Sequence, residues 1–267
     1  MKESALKLQD KNVVLVGPFG AVTQAILRTL TEFGADVGYI SEQQAGRYID
    51  GVNEAREVHA HYGRAIHVPV ALRDEKQVGE VLGSLVGSLG RMDILIDASP
   101  LAWSSTTDVP AACAASAVLA EKMIPFFLAK QRGRVVYILE DQSLDALRPD
   151  GMGSVSREVF SAMTGGLAAK YRTQAVTVNC LSIGVTDDFV LRLNPRTPSI
   201  KRSFEDMAKA SPGLKLVDAN DVSQSVAYLC SVMSAGLTGQ MLRLTHGFHI
   251  GGAAAPLHAP AEPAKLG

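Results

Sequence analysis

The sequence predicts an α/β fold: a single doubly wound parallel sheet of about seven strands with helices on both faces. Three observations carry that expectation. Short β-branched runs alternate along the chain with longer segments of helical periodicity. The short runs are rich in Val and Ile with little polar alternation, as a sheet covered on both faces requires. Finally, 267 residues with 47% apolar side chains are enough to bury one full core, which makes a single domain the economical arrangement.

Taken in order, a first strand over Asn12 to Val16 leads into a helix over Val22 to Phe33, which Gly34 stops. Strands follow over Asp36 to Ile40 and Ala65 to Val70, then a helix over Glu75 to Leu89 opened by Asp74 and closed by Gly90. The fourth strand, Asp93 to Ile96, precedes a long helix over Pro110 to Lys130, and the fifth, Arg134 to Leu139, precedes a helix over Ser154 to Tyr171. The sixth strand, Ala175 to Leu181, comes before a helix over Asn220 to Met233 with Asp221 near its start, and Gln240 to Thr245 is the last strand. Right-handed crossovers then place helices on each side, which describes a Rossmann-type sheet. The domain is expected to occupy residues 1–250. Residues 251–267 (GGAAAPLHAPAEPAKLG) form an Ala/Pro-rich tail, expected to be extended and ordered only where a partner holds it.

Composition narrows the function classes. Twenty-six Lys and Arg stand against 27 Asp and Glu, with no basic run beyond pairs such as Lys201-Arg202, so no nucleic-acid footprint is visible. The charged stretch Met1 to Asn12 and the shortness of every apolar run predict a soluble, cytoplasmic protein with no membrane span. Cys113, Cys180 and Cys230 are widely spaced and odd in number, which fits buried residues in a reducing compartment. His59 and His61 do not share a helix face, and His246 and His249 flank a glycine turn, so no metal site is expected. Trp103 and the Ser and Thr residues after it read as loop packing.

The segments KNVVLVG, FGADV, GRMDILI, GRVVYI, VTVNC and DVSQSVAYLCSVMSAGLTGQMLRLTHGF resemble the short-chain dehydrogenase/reductase family from residue 11 to about 250. The resemblance implies a nicotinamide cofactor and a Tyr-x-x-x-Lys pair on one helix face, the lysine lowering the phenol's pKa. This chain departs from that pattern. Its six tyrosines, Tyr39, Tyr48, Tyr62, Tyr137, Tyr171 and Tyr228, are followed four residues later by Gln43, Val52, Ile66, Asp141, Ala175 and Val232.

Carried over position by position, the family's cofactor glycines fall on Gly17, Ala21 and Thr23, with Gly20 one residue out of register and Pro18 and Phe19 in the loop. Those glycines let the backbone approach a pyrophosphate at a helix N-terminus; here an ordinary turn with an apolar plug is expected instead. The acidic residue for the ribose falls on Ser41, next to Glu42, and the adenine-facing aspartate on Ala71. Asn-Asn-Ala-Gly falls on Asp97 to Pro100, where an anionic Asp97 would repel phosphate, and the carboxamide-binding threonine falls on Asp188. The catalytic asparagine, serine, tyrosine and lysine fall on Ala112, Glu140, Gly153 and Arg157. General acid/base assistance is worth about a hundred- to ten-thousand-fold, so neither autonomous dehydrogenase activity nor cofactor binding by this chain is expected.

Glu140 and Arg157 are expected near each other at the mouth of the old site, as a charge pair or a clamp for an anion. Arginine in place of the lysine is also similar to halohydrin dehalogenases, but those keep the serine and tyrosine that this chain lacks. In the family, the fourth and fifth helices build a four-helix bundle across a twofold axis. Here the corresponding helices, around Ala111 to Leu119 and Val159 to Ala168, keep small and apolar residues.

The expected role is therefore a noncatalytic subunit, a pseudoenzyme, that assembles through those helices with an active short-chain dehydrogenase paralogue, NAD being bound in the partner. The pattern is similar to inactive partners in heterotetrameric dehydrogenases of anaerobic aromatic degradation, such as the one oxidising 2-(hydroxybenzyl)succinyl-CoA; that likeness implies a hydroxyacyl-CoA substrate for the complex. Two alternatives stay open: a small-molecule binding or sensor protein using the vacated cleft, and a cofactor-independent enzyme using Glu140 and Arg157.

Overall fold

In the computed structural model the described residues are 6–42, 63–70, 74–102, 109–141, 152–186, 206, 208–209 and 215–251. Seven parallel strands form one sheet: β1 (Asn12–Val16), β2 (Asp36–Glu42), β3 (Ala65–Val70), β4 (Ile94–Asp97), β5 (Gly133–Glu140), β6 (Val176–Ile183) and β7 (Met241–Leu244). Their order across the sheet is β3-β2-β1-β4-β5-β6-β7, the doubly wound arrangement that the strand composition predicts.

Each strand feeds alternate residues to two cores. On one face α1 (Ala21–Glu32) and α5 (Ala219–Cys230) bury Ile26, Leu30, Val222 and Val226 against Leu15, Ile96 and Ile138. On the other, α2 (Glu75–Leu89), α3 (Val109–Leu128) and α4 (Met152–Lys170) bury Leu85, Phe127 and Phe160 against Val14, Leu95 and Tyr137. Thr29 and Ser223 add a buried hydroxyl bond of 2.9 Å between α1 and α5. No helix among the described residues is long and apolar enough to cross a membrane.

Most element ends lie within one or two residues of the expected ones, and α5 differs most. The helix expected to run to Met233 stops at Cys230, because Ser231 is extended (φ −84°, ψ 169°) and its hydroxyl instead accepts from the Met233 amide; Val232–Ser234 is a separate 3-10 turn. The helix is capped by Asp218, which accepts from the Asp221 amide at 2.7 Å, so Asp221 lies inside the first turn. Asp74 and Gly90 do punctuate α2 as expected: Asp74 accepts from the amides of Lys76 and Gln77, and Gly90 ends the helix in a left-handed conformation (φ 79°). A one-turn helix, α6 (Phe248–Gly251), follows β7.

Candidate functional site

In an open sheet of this order, ligands meet the carboxyl ends of the strands where the winding reverses, here between β1 and β4. Gly17 follows β1 at that point. A Cβ on Gly17 would lie 3.0 Å from the Ala98 Cβ and 3.1 Å from the Thr23 Cγ2, so the Thr23 methyl and Ala98 leave little room for a side chain there. The Thr23 hydroxyl accepts from the Gly20 amide at 3.1 Å and donates to the Pro18 carbonyl at 2.6 Å. Tyr39 donates its phenol to the Gly17 carbonyl at 3.1 Å; burial pushes that phenol's pKa up to about 12, which keeps it a donor. Phe19 packs against the apolar cluster beside α1, and Ala21 is the exposed first residue of α1. Polar groups of the loop are thus turned inward, onto the chain's own side chains.

Ser41 sits at the end of β2, buried, with its hydroxyl 2.8 Å from the His67 Nε2 on β3. The His67 ring stacks on Tyr39, and burial holds its pKa below the ordinary histidine value, favouring neutral imidazole. Asp97 ends β4 with no solvent exposure. Its Oδ1 accepts from the Ser99 amide at 3.0 Å and the Ser99 hydroxyl at 2.6 Å, whereas its Oδ2 has no partner. Burial raises its pKa above the ordinary carboxylate value, so this desolvated carboxyl resists ionising. Tyr137 stands opposite Asp97 in the sheet register, fully buried under Phe160; burial first, and Asp97 second, push its phenol's pKa upward.

Glu140 is the buried last residue of β5, beside Ile183 of β6. Arg157 lies on α4, its guanidinium pairs with Glu158, the next residue, and no ion pair among the described residues joins it to Glu140. The pairing leaves the buried Arg157 Nε without a hydrogen-bond partner. Ala112 and Gly153 lie within α3 and α4. Ala71 and Asp188 fall outside the described residues, as do His59, His61 and Trp103.

One strong polar feature escaped the sequence reading. Asp141, fully buried just past β5, accepts from Arg243 of β7 through two bonds, 2.8 Å from Nε and 2.6 Å from Nη2, and from the Ser182 hydroxyl of β6 at 2.9 Å. This planar fork ties three strand ends together at the mouth of the site. A separation of 102 residues leaves no local signal for it. Among the described tyrosines, Tyr39 and Tyr137 are buried, while Tyr171 and Tyr228 belong to the far end of α4 and to α5. The described mouth therefore offers a fixed ion pair and a reluctant acid.

A family described as enoyl-(acyl carrier protein) reductase matches residues 21–249. The chain is 21% identical to a tropinone reductase homolog of Datura stramonium, covering 92% of this chain and 94% of that protein. It is 23% identical to the enoyl-[acyl-carrier-protein] reductase [NADH] FabI of Synechocystis, over 92% and 99% of the two chains. Among solved structures, levodione reductase superposes with a TM-score of 0.75 at 16% identity, covering 90% of this chain and 98% of that one. An Escherichia coli hydroxysteroid dehydrogenase gives 0.73 at 19% identity, covering 91% and 98%. Identities this low establish the shared fold.

Proposed function

The chain belongs to the short-chain dehydrogenase/reductase family, and we propose that it serves there as a noncatalytic subunit assembled with an active, NAD-dependent paralogue. The observation that carries this reading is the outer face of α4. Val155, Val159, Ala162, Gly166 and Ala169 recur at intervals of four and three residues and are all exposed, with Val155 and Val159 at 49% and 39%. A stripe with this period and no large polar side chain suits close helix-helix packing.

The cleft supports the same reading from the other side. Thr23 and Ala98 fill the space beside Gly17, and the Gly20 amide at the start of α1, one that would otherwise face an anion, is taken by Thr23. Ser41, in the place of the ribose-binding acid, bonds to His67. These residues do not fit a dinucleotide, so NAD belongs to the partner in this proposal, and no hydride step is assigned to this chain. A hydroxyacyl-CoA is the substrate class proposed for the complex, resting on likeness to inactive subunits of aromatic-degradation dehydrogenases.

The test is co-expression with a Tyr-x-x-x-Lys homologue encoded beside this gene, followed by native mass measurement and calorimetric titration of each component with NAD(H) and NADP(H). A hetero-oligomer is expected, with nucleotide binding only through the partner. Micromolar nucleotide binding by this chain alone, or turnover by it alone, would overturn the proposal.

A further inference from the structure

A second cavity opens at the opposite, amino-terminal edge of the sheet, away from the cleft at the strands' carboxyl ends. It measures about 320 Å³ and lies beneath the starts of β1, β4, β5 and β6. Four cationic side chains line it, Lys7, Lys11, Arg132 and Arg134, against one carboxylate, Asp93. One of its oxygens is engaged: Oδ2 accepts from the Arg91 Nε at 3.0 Å and from the Asn12 amide at 3.0 Å, whereas the buried Oδ1 has no hydrogen-bond partner. Arg132 reaches the other oxygen only at 3.9 Å.

Arg134 is the central group. It stands on β5, part-buried, and its Nη1 is met by two neutral hydroxyls at long range, Thr177 at 3.3 Å and Ser234 at 3.4 Å. None of the ion pairs among the described residues gives it a carboxylate. A desolvated guanidinium without a counter-charge is costly, and its planar fork is built for bidentate oxyanions. Lys11 reports the same crowding: burial first, then the charge of Arg132, pull its ammonium below the ordinary lysine value.

We infer that this cavity is an anion site that takes a small multivalent phosphate, a diphosphate or phosphate ester. Lys11, Arg132 and Arg134 against Asp93 leave an excess of positive charge that calls for two or more negative charges, and phosphate concentrates them in the least volume. A cavity of about 320 Å³ lies at the small end of ligand sites, roughly 300–1,000 Å³. The Arg134 fork grips two oxygens, Lys11 and Arg132 close around the third side as the flexible charges, and the Thr177 hydroxyl supplies a neutral donor. The site is independent of the assembly reading, since it uses neither the cleft nor α4.

Inorganic pyrophosphate is the probe. Calorimetric titration of the full chain at about 0.15 M salt, where exposed charges are screened beyond about 8 Å, should show saturable one-to-one binding. Arg134→Gln and, separately, the exposed Arg132→Gln should each weaken it at least about tenfold. Lys76→Gln, which removes a charge from the distant surface of α2, should leave it unchanged. Circular dichroism and thermal unfolding establish that each variant is folded, and Arg132→Gln decides the matter if Arg134→Gln does not fold. Absence of saturable binding in the millimolar range, an equal loss in Lys76→Gln, or citrate binding more tightly than pyrophosphate would overturn the assignment.

Discussion

Asp97 keeps its Oδ2 without a hydrogen-bond partner and has no exposed surface, while Ser116 and Tyr137 stand beside it with hydroxyls outside good bonding geometry. In the unfolded chain this carboxyl ionises near the ordinary 3.8; in the folded chain burial holds the proton to higher pH. Between those two values the folded state binds more protons, so stability falls as pH rises through the window and is fully kept below it. Asp97→Asn carries no such proton, retains an oxygen for Ser99 and gains an NH2 for the neighbouring hydroxyls. It should be more stable than the wild type at about pH 7.5 by about 1–3 kcal/mol, an advantage that fades near pH 4. Urea unfolding of both proteins at the two pH values checks this; a variant destabilised equally at both would show that the Ser99 bonds need the carboxylate. The cysteines follow the same logic of burial. Cys180 and Cys230 are buried, with the Cys230 thiol pushed up to about 12 by burial, so both should react with iodoacetamide only after unfolding, as mass spectrometry of labelled peptides would read.

At the scale of elements, β5 and α3 meet where a glycine is required. A Cβ on Gly133 would fall 2.2 Å from the Phe127 Cγ, inside a ring that is itself fully buried. Gly133→Ala should therefore destabilise the fold by about 1–3 kcal/mol, and Phe127→Leu in the same chain should recover part of the loss. A double-mutant cycle in urea gives the coupling, and strict additivity would contradict direct contact. Contacts of this kind mark the limit of what the sequence discloses. Strand and helix identities were legible because Val/Ile runs and 3.6-residue periodicity are local. The Asp74 cap and the Gly90 stop were legible because both act within one turn of α2. Asp218 and Asp221, two acids three residues apart, look alike in the sequence until the backbone sets which is extended. The break at Ser231 was hidden for a similar reason, since the apolar pattern continues through Val232 and Met233. In the site, a threonine at position 23 is visible in the sequence, but its bonds to Gly20 and Pro18, the Tyr39 phenol and the Asp141–Arg243 fork are not, because backbone path and sheet register bring them there.

For the whole molecule, the question is whether the exposed face of α4 is an interface or a solvated surface, and Gly166 separates the two. It belongs to the exposed stripe, and a Cβ built on it meets nothing within 4 Å. Replacing a helical glycine by a better helix former stabilises by roughly 0.5–1 kcal/mol, so Gly166→Leu should raise the melting temperature of the isolated chain. In a helix pair the same side chain would intrude where backbones approach closely, and it should drive the assembly apart. Gly83, exposed on α2 with equally open space, is the control: Gly83→Leu should stabilise the chain and leave assembly intact. Native mass measurement and thermal unfolding of the two variants, each co-expressed with the paralogue, read both quantities at once. A Gly166→Leu chain that is stabilised and still assembles would place the interface elsewhere. A chain that is stabilised but no longer assembles would tie the association to this face of α4.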